Sequence, residues 1–490
     1  MFRLQTVSFL TILLCVNPYS LIAQSGAEAT AQTVNAEGIR QLSDEVHAAE
    51  QRIHASEKEL ANLKARLAAL ESALASSATP ANQVVQPAAA PTADVSETVS
   101  VQASQIATLD QIKVESSSKF PVKVSGMVLM TASVNSSGVD SPVDPTASLG
   151  GPGSTGLSLR QTVLGIDAEG PHLAGARSSA DIRIDFYGSA AGSTYASAGG
   201  LLRFRSAHAA LDWQHMQLFF SFDRTLLNPN TPSSLVQMAE PALSWSGNLA
   251  NWMPQLGVTA RLGQHHALVL QGAWASPRDA PYPAPPYTST RSEPATLTEA
   301  SRTLGAEGRI AFESGDPARG LRLGIGGYFA PHTLPNVGSF NSWAATLDLR
   351  APLGRHADFT ANAYRGAGLG GLGGGGYKDF VRETDGAQVY LHAPEDVGGW
   401  TQVGLHLRPT LAWNNGFGMD NVFGQELRAY AAIKSGYGSI ARNRTVASNL
   451  IWSPRPYLPF SFEYRRVYTA PVIGTLWNTD VFAFGAGYRF

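Results

Sequence analysis

The last ten residues of the chain, Val481 to Phe490, alternate strictly between two kinds of side chain. Because successive side chains of a strand point to opposite sides, small residues and one arginine fall on one face of this segment. The opposite face carries four aromatic residues and one alanine: Phe482, Phe484, Ala486, Tyr488 and Phe490. A strand of this kind needs an apolar environment on one side only, so it predicts a β-sheet with two unlike faces.

The same two-residue period recurs across residues 119–490. In 180–187, 256–262, 321–329 and 342–350, apolar residues alternate with polar, charged or glycine residues. Downstream of the N-terminal segment, no run of about 18 apolar residues could form a membrane-spanning helix. We therefore predict an all-β transmembrane antiparallel β-barrel over 119–490. At roughly 23 residues for each strand and its connection, it has about 16 strands, and about 14 or 18 also fit.

The connections between these strands fall into two classes. Short glycine-containing segments such as Ser314–Asp316 and Pro352–Gly354 predict tight periplasmic turns. Three longer segments predict loops that are extracellular or folded into the barrel. They are Asn228–Trp252, Ser276–Arg302 and Gly366–Trp400.

The N-terminal residues 1–23 have the pattern of a cleaved secretory signal. Arg3 precedes a mostly apolar run, Pro18 breaks it, and Ala23 provides a plausible cleavage position. A lipoprotein signal that uses Cys15 is the alternative, but Leu14 stands where such signals prefer a small residue. Cys15 is the only cysteine, so the mature chain is expected to have no disulfide.

Residues 36–75 carry an unbroken heptad pattern, with apolar positions from Ile39 to Leu74 that predict about five heptads of coiled coil. Charge pairs between successive heptads favour parallel helices. The segment from Arg66 to Glu71 looks like a short pattern associated with parallel trimers, so Arg66, Leu67, Leu70 and Glu71 are predicted to direct trimerisation. A dimer remains open, because mixed Leu and Ile at the core positions do not fix strand number. Residues 76–118, rich in Ala, Ser and Pro, predict a linker.

Arginine dominates the basic residues of the barrel region, where only four of 29 basic residues are lysines. A guanidinium binds carboxylates and phosphates through paired hydrogen bonds, so this bias predicts a pore lined for anions. The predicted pore-lining residues are Arg183, Arg203, Arg205, Arg261, Arg442, Arg444 and Arg465. The alternative is that these arginines pair with acidic residues of the barrel wall.

Other motifs in the chain predict no catalytic or cofactor site. Gly366–Gly371 satisfies the glycine spacing of a nucleotide loop, but further glycine follows where such a loop requires a helix. His265 and His266 lack a repeating ligand spacing, and no local motif marks a nucleophile with its base. We therefore predict a protein that is not an enzyme, with no catalytic residue, cofactor, metal or nucleic-acid partner.

The order of signal, trimeric stalk, linker and barrel resembles that of the DcaP-like trimeric porins. Within the barrel, Leu202–Ala209 looks like the arginine-rich strand of that group, and Gly398–Gln402 and Gly368–Gly376 look like segments of related porins. The closing strand with its terminal Phe490 resembles the signal that barrel-assembly machinery reads. The resemblance implies a 16-stranded homotrimeric barrel for passive uptake of small anions such as dicarboxylates.

This resemblance also implies a location and partners. The barrel would contact lipid and lipopolysaccharide in the outer membrane of a Gram-negative cell, with the stalk in the periplasm. Phosphate-selective porins share much of this layout and remain an alternative. A trimeric barrel-anchored tether or adhesin is a second one, although the barrel region here is several times longer than the stalk.

Overall fold

A computed structural model of the chain describes residues 121–188, 200–279, 295–316, 319–334, 338–385, 388–431 and 437–490. The predicted signal, stalk and linker lie outside the described residues, and so do Arg66, Leu67, Leu70 and Glu71 of the predicted trimerisation segment. Their proposed roles therefore stay predictions.

The described part of the chain is mainly β-structure, with one short α-helix, α1 (Leu297–Ser301), and short 3₁₀ turns in the loops. Its strands are β1 (Val122–Asn135), β2 (Ser154–Ser158), β3 (Val163–Leu173), β4 (Ala176–Gly188), β5 (Leu201–Asp212), β6 (Met216–Arg224), β7 (Trp252–Leu262), β8 (His266–Ala275), β9 (Gly305–Ser314), β10 (Leu321–Leu334), β11 (Gly338–Pro352), β12 (Ala357–Ala367), β13 (Val381–Asp385), β14 (Gln388–His392), β15 (Glu395–Arg408), β16 (Leu411–Val422), β17 (Ile440–Arg455), β18 (Leu458–Pro471) and β19 (Trp477–Arg489).

These strands close into an antiparallel barrel of 16 strands, as predicted. The first and last strands pair from Met127 opposite Arg489 to Asn135 opposite Val481, so the sheet has no free edge there. Strands β2 and β3 both pair with β1 and together form one interrupted barrel strand. Strands β13 and β14 form a separate hairpin within a loop.

The two faces of the barrel differ as the alternation predicts. On β19, Phe482 and Phe484 are exposed, while Val481 and Ala483, which alternate with them, are buried. Exposed aliphatic and aromatic side chains continue around the wall, including those of Val128, Ile166, Phe220, Leu256 and Ile325. Such an outward apolar surface on a closed barrel suits the outer membrane, because all backbone groups of the wall are paired between strands. None of the helices in the described ranges is long and apolar enough to cross a membrane.

Short turns and long loops occupy opposite ends of the barrel. The turns after β9 and β11 are short, as predicted, and lie at the end that holds the C-terminus. Gly315 and Gly354 adopt positive φ angles of 86° and 80° in these turns, a conformation that glycine reaches without steric cost. Phe490 lies at this end, where its backbone exchanges hydrogen bonds of 3.1 and 3.0 Å with Gly126. Its role as an assembly signal stays a prediction.

Residues 225–251, between β6 and β7, fold into the barrel, and we call them the constriction loop. Three apolar side chains of this loop pack against three different parts of the wall. Leu227 packs with Tyr364 of β12, Leu235 with Met127 and Leu129 of β1, and Leu243 with Trp400 of β15. The loop therefore crosses the lumen, which settles the choice between an extracellular and an infolded path for this segment.

Candidate pore constriction

A cavity of about 690 Å³ lies at the loop end of the barrel, above the constriction loop. Strands β4 and β5 contribute to its wall. The other contributions come from the loop 136–153, from residues 368–378, which we call the glycine loop, from Arg278 and Asp279 after β8, and from Tyr437. Arginines, carboxylates and aromatic rings all line the cavity.

Arg203 of β5 connects strand β4 with the constriction loop. Its guanidinium donates to both carboxylate oxygens of Asp185 on β4, at 3.0 and 2.8 Å. It also reaches the constriction loop, where it donates to Glu240 at 3.3 Å and to the Ala239 carbonyl at 2.8 Å. Arg203 thus faces the lumen, but its charge is shared between two carboxylates.

Arg205 faces a different environment because β5 is irregular at this point. The pairing of β4 with β5 passes from Arg183 opposite Ser206 to Ile184 opposite Phe204, so Arg205 is an extra, unpaired residue. A bulge of this kind redirects a side chain without breaking the sheet. The Nη1 atom of Arg205 is buried and has no hydrogen-bond partner among the described residues. Its guanidinium lies 5.8 Å from the ring centre of Trp252.

Three other predicted pore-lining arginines pair with acidic residues of the barrel wall. Each makes its shortest contact within the barrel: Arg183 with Asp167 at 2.5 Å, Arg261 with Glu313 at 2.5 Å, and Arg465 with Glu463 at 3.0 Å. Together with Arg203, they follow the alternative in which arginines pair with wall carboxylates. Arg205 differs from all four, because it has no salt bridge to the residues that the structure describes.

Arg442 and Arg444 do not line the pore, which corrects the prediction for these two residues. Asn443 and Thr445, which alternate with them on β17, are buried and point inward. Asn443 donates to the Thr146 carbonyl inside the barrel at 2.7 Å. Because neighbouring strand residues point to opposite faces, the two arginines lie on the outer face, near the loop end of β17.

Three aromatic rings from three loops stack on one another at the cavity. Trp245 of the constriction loop stacks on Tyr377 of the glycine loop at 4.1 Å and 15°. Tyr377 stacks in turn on Tyr437 at 4.6 Å and 26°. The hydroxyl groups of both tyrosines bond to the loop 136–153, Tyr377 with Thr146 at 3.0 Å and Tyr437 with Asp140 at 3.3 Å. The stack therefore joins four loops around the cavity.

Backbone strain is concentrated in this stack. Trp245 and Tyr377 have φ angles of 59° and 67°, which bulky residues rarely adopt. Such conformations cost about 1–3 kcal/mol each and persist where surrounding contacts enforce them, commonly at functional sites. None of the three rings was predicted from the sequence. The available signal was an aromatic residue at the end of the glycine run, at Tyr377.

Two carboxylates fix the glycine loop inside the barrel. Asp396 of β15 accepts from the Gly375 amide at 2.8 Å, and Asp420 of β16 accepts from the Gly376 amide at 2.7 Å. Tyr364 of β12 donates to the second oxygen of Asp420 at 2.6 Å. The short 3₁₀ turn Gly370–Leu372 overlaps the end of the Gly366–Gly371 motif.

Burial acts on two carboxyl groups that line the cavity. It raises the pKa of Asp144 to about 8, although Arg465 at 3.8 Å opposes the shift. It also raises the pKa of Asp279 to about 6. Burial thus favours the neutral form of Asp144. No group of three or more potential metal ligands occurs in the described ranges.

Comparisons with known proteins agree with this architecture. The chain superimposes on the outer-membrane channel DcaP of Acinetobacter baumannii with a TM-score of 0.57 and 17% identity, covering 76% of this chain and 99% of that one. An anion-selective porin from Comamonas acidovorans matches with a TM-score of 0.47 and 9% identity, covering 76% and 100%. No family model matches the chain, and no curated protein does. The chain therefore has the 16-stranded fold of the DcaP channel, as the sequence resemblance predicted.

Proposed function

We propose that this protein is an outer-membrane porin for passive diffusion of small hydrophilic solutes, prefers anions such as dicarboxylates, and works as a homotrimer. The observation that carries the anion preference is Arg205, a lumen-side guanidinium without a carboxylate partner among the described residues. A passive channel needs sites that attract the solute but release it again. A cluster of guanidinium groups whose charges are partly balanced by carboxylates provides such sites.

Charges near Arg205 reinforce this preference. The positively charged neighbours of Arg205 are Arg203, two residues away on β5, and Arg224 at the end of β6. A narrow passage with low-dielectric walls strengthens the field of such charges and raises the local concentration of anions. The paired arginines lower on the wall contribute mainly to its rigidity, because their charges are balanced by neighbouring acids.

The Arg205→Gln variant tests the proposal directly. We expect its anion-to-cation permeability ratio to fall roughly two- to five-fold, which corresponds to about 0.5–1 kcal/mol for one charge on the inner wall of the pore. The measurement is the reversal potential of the full chain in planar bilayers under a salt gradient. The shift should shrink at high ionic strength, because salt screens the charge.

Arg444→Gln is the matched control, since Arg444 also lies on a barrel strand but on its outer face. Its reversal potential should equal that of the unmodified chain. An unchanged reversal potential in Arg205→Gln, with normal barrel insertion, would reject anion selection at this site.

The homotrimer rests on the heptads of residues 36–75, whose Arg66–Glu71 segment predicts three parallel helices. Deleting 36–74 should leave a barrel that inserts but an oligomer that dissociates at a lower temperature in detergent. Analytical ultracentrifugation of the full chain and of the deletion variant in the same detergent measures this change. Equal oligomer stability in both would assign trimerisation to the barrel, and a monomeric full chain would reject the trimer.

A further inference from the structure

The cavity at the constriction presents aromatic surface as well as positive charge. Tyr437 ends the aromatic stack, and although one face of its ring covers Tyr377, its side chain remains 47% exposed. Trp245 is half-buried at the other end of the stack. Exposed aromatic surface of this kind attracts a flat apolar face, for which a small linear dicarboxylate has no counterpart.

Hydrogen-bond acceptors also reach the cavity. Glu240 accepts from Arg203 through one carboxylate oxygen, which leaves the other oxygen for a ligand. Asn251 donates its amide hydrogens to the carbonyl oxygens of Gly370 and Gly371, at 3.2 and 3.3 Å, so its own carbonyl oxygen remains an acceptor. These acceptors repel a simple anion, but they receive hydrogen bonds from hydroxyl groups.

A solute that satisfies all three surfaces needs a carboxylate for the arginines, hydroxyl groups for the acceptors and an apolar ring face for the stack. We propose that the cavity binds a pyranose ring that carries a carboxylate, as in a uronic acid. This inference rests on the proposed porin function and names the class of solute that the pore would take. The cavity of about 690 Å³ falls within the range of about 300–1,000 Å³ that small-molecule sites occupy.

Each part of the ligand has a defined place in this arrangement. The carboxylate lies at Arg160 and at the Nη1 hydrogen of Arg203 that does not bond to Glu240, beside β4 and β5. One ring face lies against Tyr437, and the hydroxyl groups donate to Glu240 and Asn251. The individual contacts are few and remain exposed to water, so the binding is weak enough for the solute to pass on through the pore.

Single-channel current interruption by four probes tests the inference on the full chain. Glucuronate has the ring, hydroxyl groups and carboxylate; glucose lacks the carboxylate; cyclohexanecarboxylate lacks the hydroxyl groups; and succinate lacks the ring. We expect glucuronate to interrupt the potassium chloride current at a concentration at least about five-fold lower than any of the other three. Cyclohexanecarboxylate interrupting as strongly as glucuronate would overturn the role of hydroxyl recognition.

Substitutions at Tyr437 test the role of the ring. Tyr437→Ala should remove most of the advantage of glucuronate over succinate, whereas Tyr437→Phe should retain it. Tyr457→Ala is the matched control, because Tyr457 is comparably exposed but lies in the turn between β17 and β18 at the opposite end of the barrel. A glucuronate advantage that survives in Tyr437→Ala would overturn the placement of the sugar on this stack.

A separate measurement tests the proposed function. Anion preference is measured by the reversal potential in potassium chloride, without any of the four probes. A channel that prefers anions but treats glucuronate like succinate would overturn only the uronate inference. A channel without anion preference would reject the proposed function itself.

Discussion

Replacing Asp396 and Asp420 together with alanine should raise the single-channel conductance by roughly a factor of two or more and should add rapid current fluctuations. Each aspartate accepts a hydrogen bond from a backbone amide of the glycine loop, and removing the acceptor of a buried amide costs about 1–3 kcal/mol. Without them, the consecutive positive φ angles of Gly375 and Gly376 are no longer enforced. The loop then withdraws Tyr377 from the aromatic stack, and the passage widens.

Asp358→Ala provides the control for this experiment. Asp358 is also a carboxylate of a barrel strand, but it bonds to His406 at 2.8 Å near the turn end and contacts no loop of the constriction. Its conductance and noise should match those of the unmodified chain. If the double variant inserts normally and conducts with unchanged amplitude and noise, the two aspartates do not hold the glycine loop in the pore.

Alternation of side chains was enough to predict the barrel, because each strand must present one face to lipid, whereas the strand number came from the length of the barrel region and left 14 or 18 strands open. The same reasoning placed Arg203 and Arg205 inward, since Leu202 and Phe204 beside them are apolar and lie exposed on the outer face. The prediction that Arg442 and Arg444 line the pore was wrong because it used only the spacing of these two residues and not the rest of the strand. Val446 and Leu450 lie on the same face of β17 as these two arginines and are exposed, which identifies that face as the outer one.

Polar residues at the ends of strands are ambiguous for a physical reason. A strand extends beyond the hydrocarbon layer, so arginines near its loop end meet water or headgroups on the outer face and water on the inner face. Arg442 and Arg444 lie in this part of β17, close to its first residue, Ile440. Only the apolar residues deeper in the strand establish which side faces lipid.

The constriction itself was beyond sequence reasoning, because it depends on contacts between distant segments. Leu227 and Leu235 are apolar residues in a long loop, which suggests burial but not the strands that receive them. The bulge that frees Arg205 from carboxylate partners requires the pairing of β4 with β5 to be known. Similarly, the stack of Trp245, Tyr377 and Tyr437 depends on three loops that meet only in the folded barrel.

Deep in the wall, one buried ion pair offers a sharp test of stability. Arg309 of β9 donates to both oxygens of Asp348 on β11, at 2.8 and 2.7 Å, and both side chains are almost completely buried. Gly324 of β10 lies between them; a Cβ atom there would come within 2.3 Å of Asp348. The absence of a side chain at Gly324 therefore leaves room for the pair.

Arg309→Met should lower the free energy of unfolding by about 3–5 kcal/mol, because it leaves the Asp348 carboxylate buried without its partner. Arg309→Met combined with Asp348→Leu should recover most of that loss, since neither charge then remains in the wall. Urea unfolding of the barrel in detergent or lipid, followed by tryptophan fluorescence, measures both values. Arg365→Met is the control, because Arg365 and Glu395 form a pair exposed by 39% and 42%, and such pairs contribute about 0–1 kcal/mol. Equal losses for Arg309→Met and Arg365→Met, or no recovery in the double variant, would contradict the interpretation that an unpaired buried charge causes the effect.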